Sequence, residues 1–482
     1  MLLGIDEGTT GVKAALFDET LRPLREARRD KVNRHPRHGW VEQDAEEVLS
    51  AVVEAVGELL DDAPGEVVAC GLDHQGESVL AWDAESGKPL TPIVVWQDKR
   101  SQEVLDRMGE HEEEVQRLSG LPFDPYFSAA KLAWLLEHDA GVQRALEAGT
   151  LRMGTVDSFL CDRLGAGFAT DASTASRTQL HALGKPGFDA RLAELFGVPL
   201  DVLPEVRETA GELGVLRHES WPGELPLCGQ VVDQQAALAG AGCVVPGRVK
   251  ATYGTGVFVL GHTGDEVPRP AGGLLPTVAW GVDGRTEYAV DGGVFAAGAM
   301  LEWMCRELGV ALQPAAMTEL AREVEDSAGA RVLPGLSGIG APWWRPDARA
   351  VLSGLHAGTT RAHVARAALE GIAWRVADVV AALKEGVEVR SLRVDGGLTN
   401  EPLLLRLQAD AIGVPVEAAG ADATVLGAAV LAAVGSGTIG SLEEAAELLP
   451  VDRTVEPRRD DAWREAEHAR WRAFVEGAAE LR

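Results

Sequence analysis

The residues with the most chemistry in them sit in two short runs rich in glycine and threonine. The first is Asp6-Glu7-Gly8-Thr9-Thr10-Gly11, followed by Lys13. Glycines let a backbone approach a ligand closely, and the amides of a tight turn can point at phosphate-like oxygens. Thr9 and Thr10 add hydroxyl donors, and Lys13 adds a cation just past the turn. Asp6, at a strand end, can hold Mg2+ or its water shell. The second run, Tyr253-Gly254-Thr255-Gly256, repeats that chemistry in the second half of the chain. Either run alone also reads as an ordinary hairpin with a turn-stabilising Asp or Thr. Two of them facing each other across a cleft would hold a triphosphate from both sides.

Two further segments carry weight. Asp395-Gly396-Gly397-Leu398-Thr399-Asn400 is a Gly-Gly turn that enters a helix, a place where a nucleotide can pack, or a plain strand-to-helix turn. Val232-Asp233-Gln234-Gln235-Ala236 opens another helix. Asp233 is either its cap or a base that accepts a hydroxyl proton and orients the oxygen for attack. The chain has no G-x-x-x-x-G-K-[ST] loop and no H-R-D or D-F-G set, so a nucleotide site here is of another type.

These segments need elements to hold them. Leu2 to Ile5 and Val12 to Phe17 read as two strands of a hairpin, and 250–260 as a second hairpin. Residues 44–60, 126–138, 231–241, 293–308, 361–384 and 402–412 have helical patterns, and 67–72, 93–96, 288–290 and 392–394 read as strands. A small-residue helix starts at Ala423. A charged helix closes the chain at 459–480, with Trp463 and Trp471 expected on its outer surface. Strands alternate with helices in two halves, each opening on a Gly/Thr hairpin. The expectation is two α/β domains, 1–242 and 243–482, with a cleft between them.

The 482 residues suit two large domains, with 46% hydrophobic and 25% charged residues. The formal charge of −29 argues against a broad nucleic-acid face or an anionic membrane surface. An anionic ligand must then be met by local amides, a few cations or a metal ion. Five widely spaced cysteines, with no C-x-x-C pair, argue against a disulfide framework and a structural zinc site. The first residues lack the basic and apolar regions of a signal peptide, and no apolar run is long enough to span a membrane. A reduced, cytoplasmic protein is the expectation.

Longer motifs run through the chain in order. They are GIDEGTTGVKAALFD at the start, GWVEQD at 39–44, IVVWQDKRS at 93–101, YFSAAKLAWLLEH at 126–138 and GTVDSFL at 154–160. They continue with TDASTASRT at 170–178, VDQQAALAGAGC at 232–243, ATYGTGVFVL at 251–260 and AVLSGLHAGTTRAHVARAALEG from Ala350. Together they resemble the FGGY carbohydrate kinases over nearly the whole chain, most closely the glycerol-phosphorylating members. The resemblance implies an α/β fold of two actin-like (ribonuclease H-like) domains, with ATP and substrate in the interdomain cleft. It implies transfer of phosphoryl from ATP to a primary hydroxyl of a small polyol or sugar, with glycerol first. A larger polyol or a ketose, such as erythritol or xylulose, is the alternative acceptor, and a non-catalytic actin-like nucleotide-binding protein the remote reading. It makes Asp233 the general base and Asp6 the Mg2+-associated carboxylate. Thr9, Thr10, Gly11 and Lys13 fall by the phosphates, and Thr255, Gly298, Glu302, Gly397 and Glu401 at ATP-contact positions. Gln75, Gly76, Glu77, Trp96, Tyr126, Asp233, Gln234 and Phe258 fall at substrate positions. A homodimer is implied by the resemblance alone.

The chain departs from the pattern of that branch in four places. Lys13 stands where Arg is usual, Glu302 where Gln is frequent, and Glu401 where Asn is found. The fourth lies in His74-Gln75-Gly76-Glu77, where the branch has Asn-Gln-Arg-Glu. Gly76 offers neither the charge nor the planar donors of Arg, and is expected to open space in the pocket. Glu77 can still hold one or two hydroxyls, and His74 either reaches in or is structural.

Overall fold

The computed structural model describes residues 1–270, 272–419 and 422–480. Its centre is one 13-stranded mixed sheet. In chain order the strands are β1 (Leu2–Glu7), β2 (Gly11–Phe17), β3 (Pro23–Asp30), β4 (Ala69–His74), β5 (Ala210–Leu216), β6 (Leu225–Val232) and β7 (Arg248–Tyr253). They continue with β8 (Val257–Gly264), β9 (Leu275–Val282), β10 (Arg285–Val294), β11 (Ser391–Asp395), β12 (Val416–Ala418) and β13 (Arg453–Val455). The two halves repeat one plan. In the first, β1 pairs antiparallel with β2 and β2 with β3, while β4 runs parallel to β1 and β6 parallel to β4. In the second, β7 pairs antiparallel with β8 and β8 with β10, while β11 runs parallel to β7 and β12 parallel to β11. The halves join at one paired position, Ala210 beside Val282, where β5 meets β9. The central strands are buried on both faces and read as continuous apolar runs, as parallel strands covered by helices do.

The helices that matter for the site are α1 (Ala45–Asp61), α2 (Ser128–His138), α3 (Asp233–Gly240) and α4 (Gly298–Leu308). They are followed by α5 (Arg361–Leu383), α6 (Pro402–Ile412), α7 (Ala423–Gly435) and α8 (Asp461–Ala479). Helix α7 comes late in the chain but lies on first-half strands. A Cβ on Gly71 would stand 2.0 Å from the Ala428 carbonyl oxygen, and one on Gly427 1.7 Å from that of Ala236. Only glycine allows so close a backbone approach, so α3, α7 and the sheet are interlocked without side chains.

Two expectations change. The helix read from residue 293 begins at Gly298, because 285–294 is strand β10, longer than the three residues legible in the sequence. The tail helix lies on the surface but buries one face: Trp471 is 1% exposed, and its indole nitrogen donates to Asp378 at 3.0 Å. Trp471, Val475 and Ala478 form one buried stripe, and Trp463 packs at 6.1 Å against Trp374 of α5. The cysteines are all free and buried. Among the described residues, no helix is long and apolar enough to cross a membrane.

Candidate active site

Strands β6, β4 and β1 run parallel and end together, with Val232 opposite His74 and Glu7 opposite His74 on the other side. That register sets Asp6 beside Asp73 and brings Asp233, one residue past β6, to the same edge. Asp422, just before α7, joins them across the halves. Burial, then the charge of Asp422, raises the Asp6 carboxyl to about 7. Burial and the neighbouring Asp6 raise Asp73 well above the usual carboxylate range. Both Asp73 oxygens are buried without a hydrogen-bond partner. Carboxylates that destabilise one another's charge, two of their oxygens unpaired, are a donor set that a divalent cation would relieve. Among the described residues, no three acidic, His or Cys side chains converge into a cage. The set therefore fits Mg2+, which keeps waters and phosphate oxygens and needs only one or two carboxylates.

Asp233 opens α3, and its Oδ1 accepts from the Gln234 amide at 2.6 Å. Burial raises its carboxyl, while Lys250 and His74 pull it down. Lys250 is fully buried, and its Nζ donates to Gln234 Oε1 at 2.7 Å. Strand pairing puts Lys250, Leu260 and Asp291 side by side, and likewise Thr252 with Phe258, Gly293 and Asp395. Residues two apart on a strand share a face. Lys250 and Asp291, Phe258 and Asp395 thus line one surface of the second half, turned towards Asp233.

Glu77 and Tyr126 stand on the other flank. The Trp96 indole donates to Thr9 Oγ1 at 3.0 Å and meets the Tyr126 ring edge-on at 5.4 Å. This ties the Glu77–Tyr126 side to the first hairpin. Burial raises the Glu77 carboxyl, and Arg177 pulls it down. Arg177 Nε donates to Glu77 Oε1 at 2.8 Å, and its Nη2 lies 3.4 Å from Asp291 Oδ2.

Gly76, His74 and Gln75 are each held by neighbours outside the His74–Glu77 run. Gly76 does not leave a gap, because a Cβ there would stand 2.7 Å from Val232 Cγ2; the valine fills the space. His74 is turned into the core, with Nε2 at 2.9 Å from Thr174 Oγ1 and 3.4 Å from Asp157 Oδ1. The Gln75 amide nitrogen is spent on Glu7 at 3.0 Å and Gln43 at 2.8 Å, which brace the first hairpin from below.

The second hairpin is built by close backbone approach. Gly254 and Thr255 are exposed at its tip. A Cβ on Gly298, the first residue of α4, would stand 2.6 Å from the Gly254 oxygen. Gly396 has φ of 96°, and a Cβ there would stand 2.4 Å from the Tyr253 oxygen. Gly397 follows in a short 3-10 turn. Glu401 caps α6 through the Leu403 amide at 3.2 Å and pairs with Arg322, while Glu302 is exposed on α4. In the first hairpin Thr10 is exposed and Gly11 packs under the Arg29 oxygen. Lys13 lies between Glu26 at 3.0 Å and Asp422 at 3.3 Å.

Sequence reading missed Asp73, Arg177, Lys250, Asp291, Asp395 and Asp422 as members of this site. Arg177 lies in the run TDASTASRT, and Asp73 directly precedes His74. Asp422 carries no local signal.

Two family models match this chain: the N-terminal domain of the FGGY family of carbohydrate kinases over 1–240, and its C-terminal domain over 249–436. The chain belongs to this family and is a sugar or polyol kinase. It is 40% identical to a glycerol kinase of Geobacter sp. (strain M21), covering 98% of both chains. It is 39% identical to a glycerol kinase of Stenotrophomonas maltophilia (strain K279a), covering 98% of this chain and 97% of that one. Its fold is similar to that of Plasmodium falciparum glycerol kinase with ADP, at a TM-score of 0.93 and 29% identity over 99% and 98% of the two chains.

Proposed function

We propose that the protein transfers the γ-phosphoryl group of ATP to a primary hydroxyl of glycerol, giving glycerol 3-phosphate and ADP. The observation that carries this reading is that Glu77, Tyr126 and Asp233, from three separate segments, lie close enough to act on one another's charge, with Tyr126 tied through Trp96 to Thr9 of the first hairpin. Full-length similarity to glycerol kinases supports the acceptor.

In this mechanism Glu77 holds acceptor hydroxyls, and Trp96 and Tyr126 wall them in. Asp233 hydrogen-bonds the attacking hydroxyl and takes its proton late, since a free alcohol is a very weak acid. The raised Asp233 carboxyl makes it a better proton acceptor than an exposed aspartate. The hairpin amides and the Thr9, Thr10 and Thr255 hydroxyls meet the charge on the phosphates. Asp6 and Asp73 would hold Mg2+, which neutralises phosphate charge when bound. Gly397, Gly298 and Glu401 border the nucleotide. A homodimer and a cytoplasmic location complete the proposal, from family resemblance and the absence of a spanning helix among the described residues.

The test is ADP formation from Mg·ATP with glycerol, erythritol, xylitol, ribulose, xylulose and dihydroxyacetone, with the product identified by phosphorus NMR. The expected result is a kcat/KM for glycerol of order 100-fold or more above the four- and five-carbon acceptors. Equal or higher kcat/KM for a ketose overturns the acceptor assignment.

A further inference from the structure

The acceptor side gathers three carboxylates, Glu77 and Asp291 buried and Asp233 half-buried, and the charge that balances them comes in part from a residue with no assigned role. Arg177 is 6% exposed. It follows the short helix Ala172–Ala175 and is anchored from both halves of the molecule. Next to it, Ser176 Oγ lies 2.9 Å from Thr277 Oγ1 and accepts from the Val278 amide at 3.1 Å. On its other side, the Thr178 carbonyl accepts from the Ala129 amide of α2 at 2.8 Å. The guanidinium is thus aimed by backbone contacts on either side and lies 5.5 Å from the Phe127 ring centre.

Its hydrogen bond to Glu77 uses one of five N–H donors. Its second charged neighbour, Asp291 on β10, belongs to the other half. Asp291 keeps one buried oxygen without a partner. Glu77 itself has φ of 58°, in the left-handed region that a side chain rarely adopts. A backbone there needs something to hold it: the Ser128 hydroxyl donates to the Glu77 carbonyl at 3.2 Å, while Arg177 fixes the side-chain carboxylate. Next door, Gly76 has no room for a side chain because Val232 lies against it. The charged neighbours of Arg177 are Glu77 at its Nε and Asp291, 3.4 Å from its Nη2, so one terminal amino group lies on the Asp291 side.

We propose that Arg177 is an acceptor-binding and positioning residue of the kinase. Its Nε fixes the Glu77 carboxylate, and its terminal amino groups donate to the acceptor hydroxyl that Glu77 accepts from. Through Asp291 the same guanidinium ties the occupied pocket to the second half of the chain. The hydroxyl is then gripped by a donor and an acceptor that are themselves hydrogen-bonded, a geometry that rejects analogues lacking that hydroxyl.

This inference rests on the polyol-kinase reading, and wild-type turnover on glycerol tests that reading separately. The inference is tested by comparing wild type with Arg177→Lys and Arg177→Ala in the full chain. Glycerol KM, ATP KM, kcat and ADP affinity are measured, with propane-1,2-diol and propane-1,3-diol as deletion analogues. For Arg177→Ala a rise in glycerol KM of order 100-fold is expected, with ADP affinity within about threefold. Millimolar guanidinium should restore part of the Arg177→Ala activity. Arg177→Lys should retain the fold, raise glycerol KM about 10-fold, and narrow the preference for glycerol over one of the diols. A glycerol KM within threefold of wild type in Arg177→Lys, with unchanged diol preference, overturns the proposal. So does a parallel loss of glycerol and ADP affinity that guanidinium does not reverse.

Discussion

The two hairpins share a sequence pattern but are held in place by different physics. The first sits among charges. Glu7 beneath it is buried, pairs with Lys31 and accepts from Gln75, and Asp6, Asp73, Asp233 and Asp422 crowd its edge. The second, Gly254–Gly256, carries no charged side chain at its tip and is positioned by backbone approach from Gly298 and Gly396. Buried like charges are costly unless paired or neutralised, so the first region stores electrostatic tension that a cation can release. The second region stores none and works by shape. The comparison teaches a division of labour: acceptor activation by buried charge on one side, nucleotide placement by backbone on the other.

The strongest way to break that comparison is Asp233→Asn. The expected outcome is a fall in kcat of order 1,000-fold with ADP affinity within threefold, measured by steady-state assay and calorimetry. Next is Lys250→Met. Lys250 pulls the Asp233 carboxyl down. Removing it raises that carboxyl further, so the acid limb of the kcat/KM profile moves to higher pH, and activity below the limb falls about 10-fold or more. Gly298→Ala probes the other region. The added Cβ meets the Gly254 oxygen at 2.6 Å, so the hairpin must shift, and ATP KM should rise about 10-fold with glycerol KM little changed.

The smallest effect concerns stability. Asp6 is raised from 3.8 to about 7 in the folded chain. The folded state therefore holds a proton that the unfolded chain releases. That contribution to stability is full below pH about 4 and is lost as pH climbs through about 7. Asp6→Asn removes the penalty of the charged form. It should raise the melting temperature of the nucleotide-free protein by about 2 °C or more at pH 8, and change it little at pH 4. A lower melting temperature at pH 8 would show that the acid cluster is not strained.

Much of the scaffold was legible because it is local. Both hairpins, the Gly396-Gly397 turn and the helix opened by Asp233 are written in contiguous residues, and the repeat of hairpin and parallel strand in each half follows from them. What was not legible depends on residues far apart in the chain. Asp422 reaches Asp6 only because α7 lies on first-half strands, an arrangement set by Gly71 and Gly427 rather than by any pattern near Asp422. The space at Gly76 looked open in one dimension, and Val232, from another strand, closes it. His74 could be read as reaching in or as structural, and the fold sets it in the core beside Thr174. Trp471 was misread because the charged residues around it mask a narrow apolar stripe. Arg177 lay in a recognised run, but its role depends on Glu77 and Asp291, which only the fold brings to it.

The most direct test of the division of labour is a pair of KM measurements on two variants, Glu77→Gln and Gly396→Ala. The account predicts a crossed pattern. Glu77→Gln raises glycerol KM of order 100-fold with ATP KM within about twofold, while Gly396→Ala raises ATP KM about 10-fold with glycerol KM within about twofold. Variants that move both KM values together would contradict it.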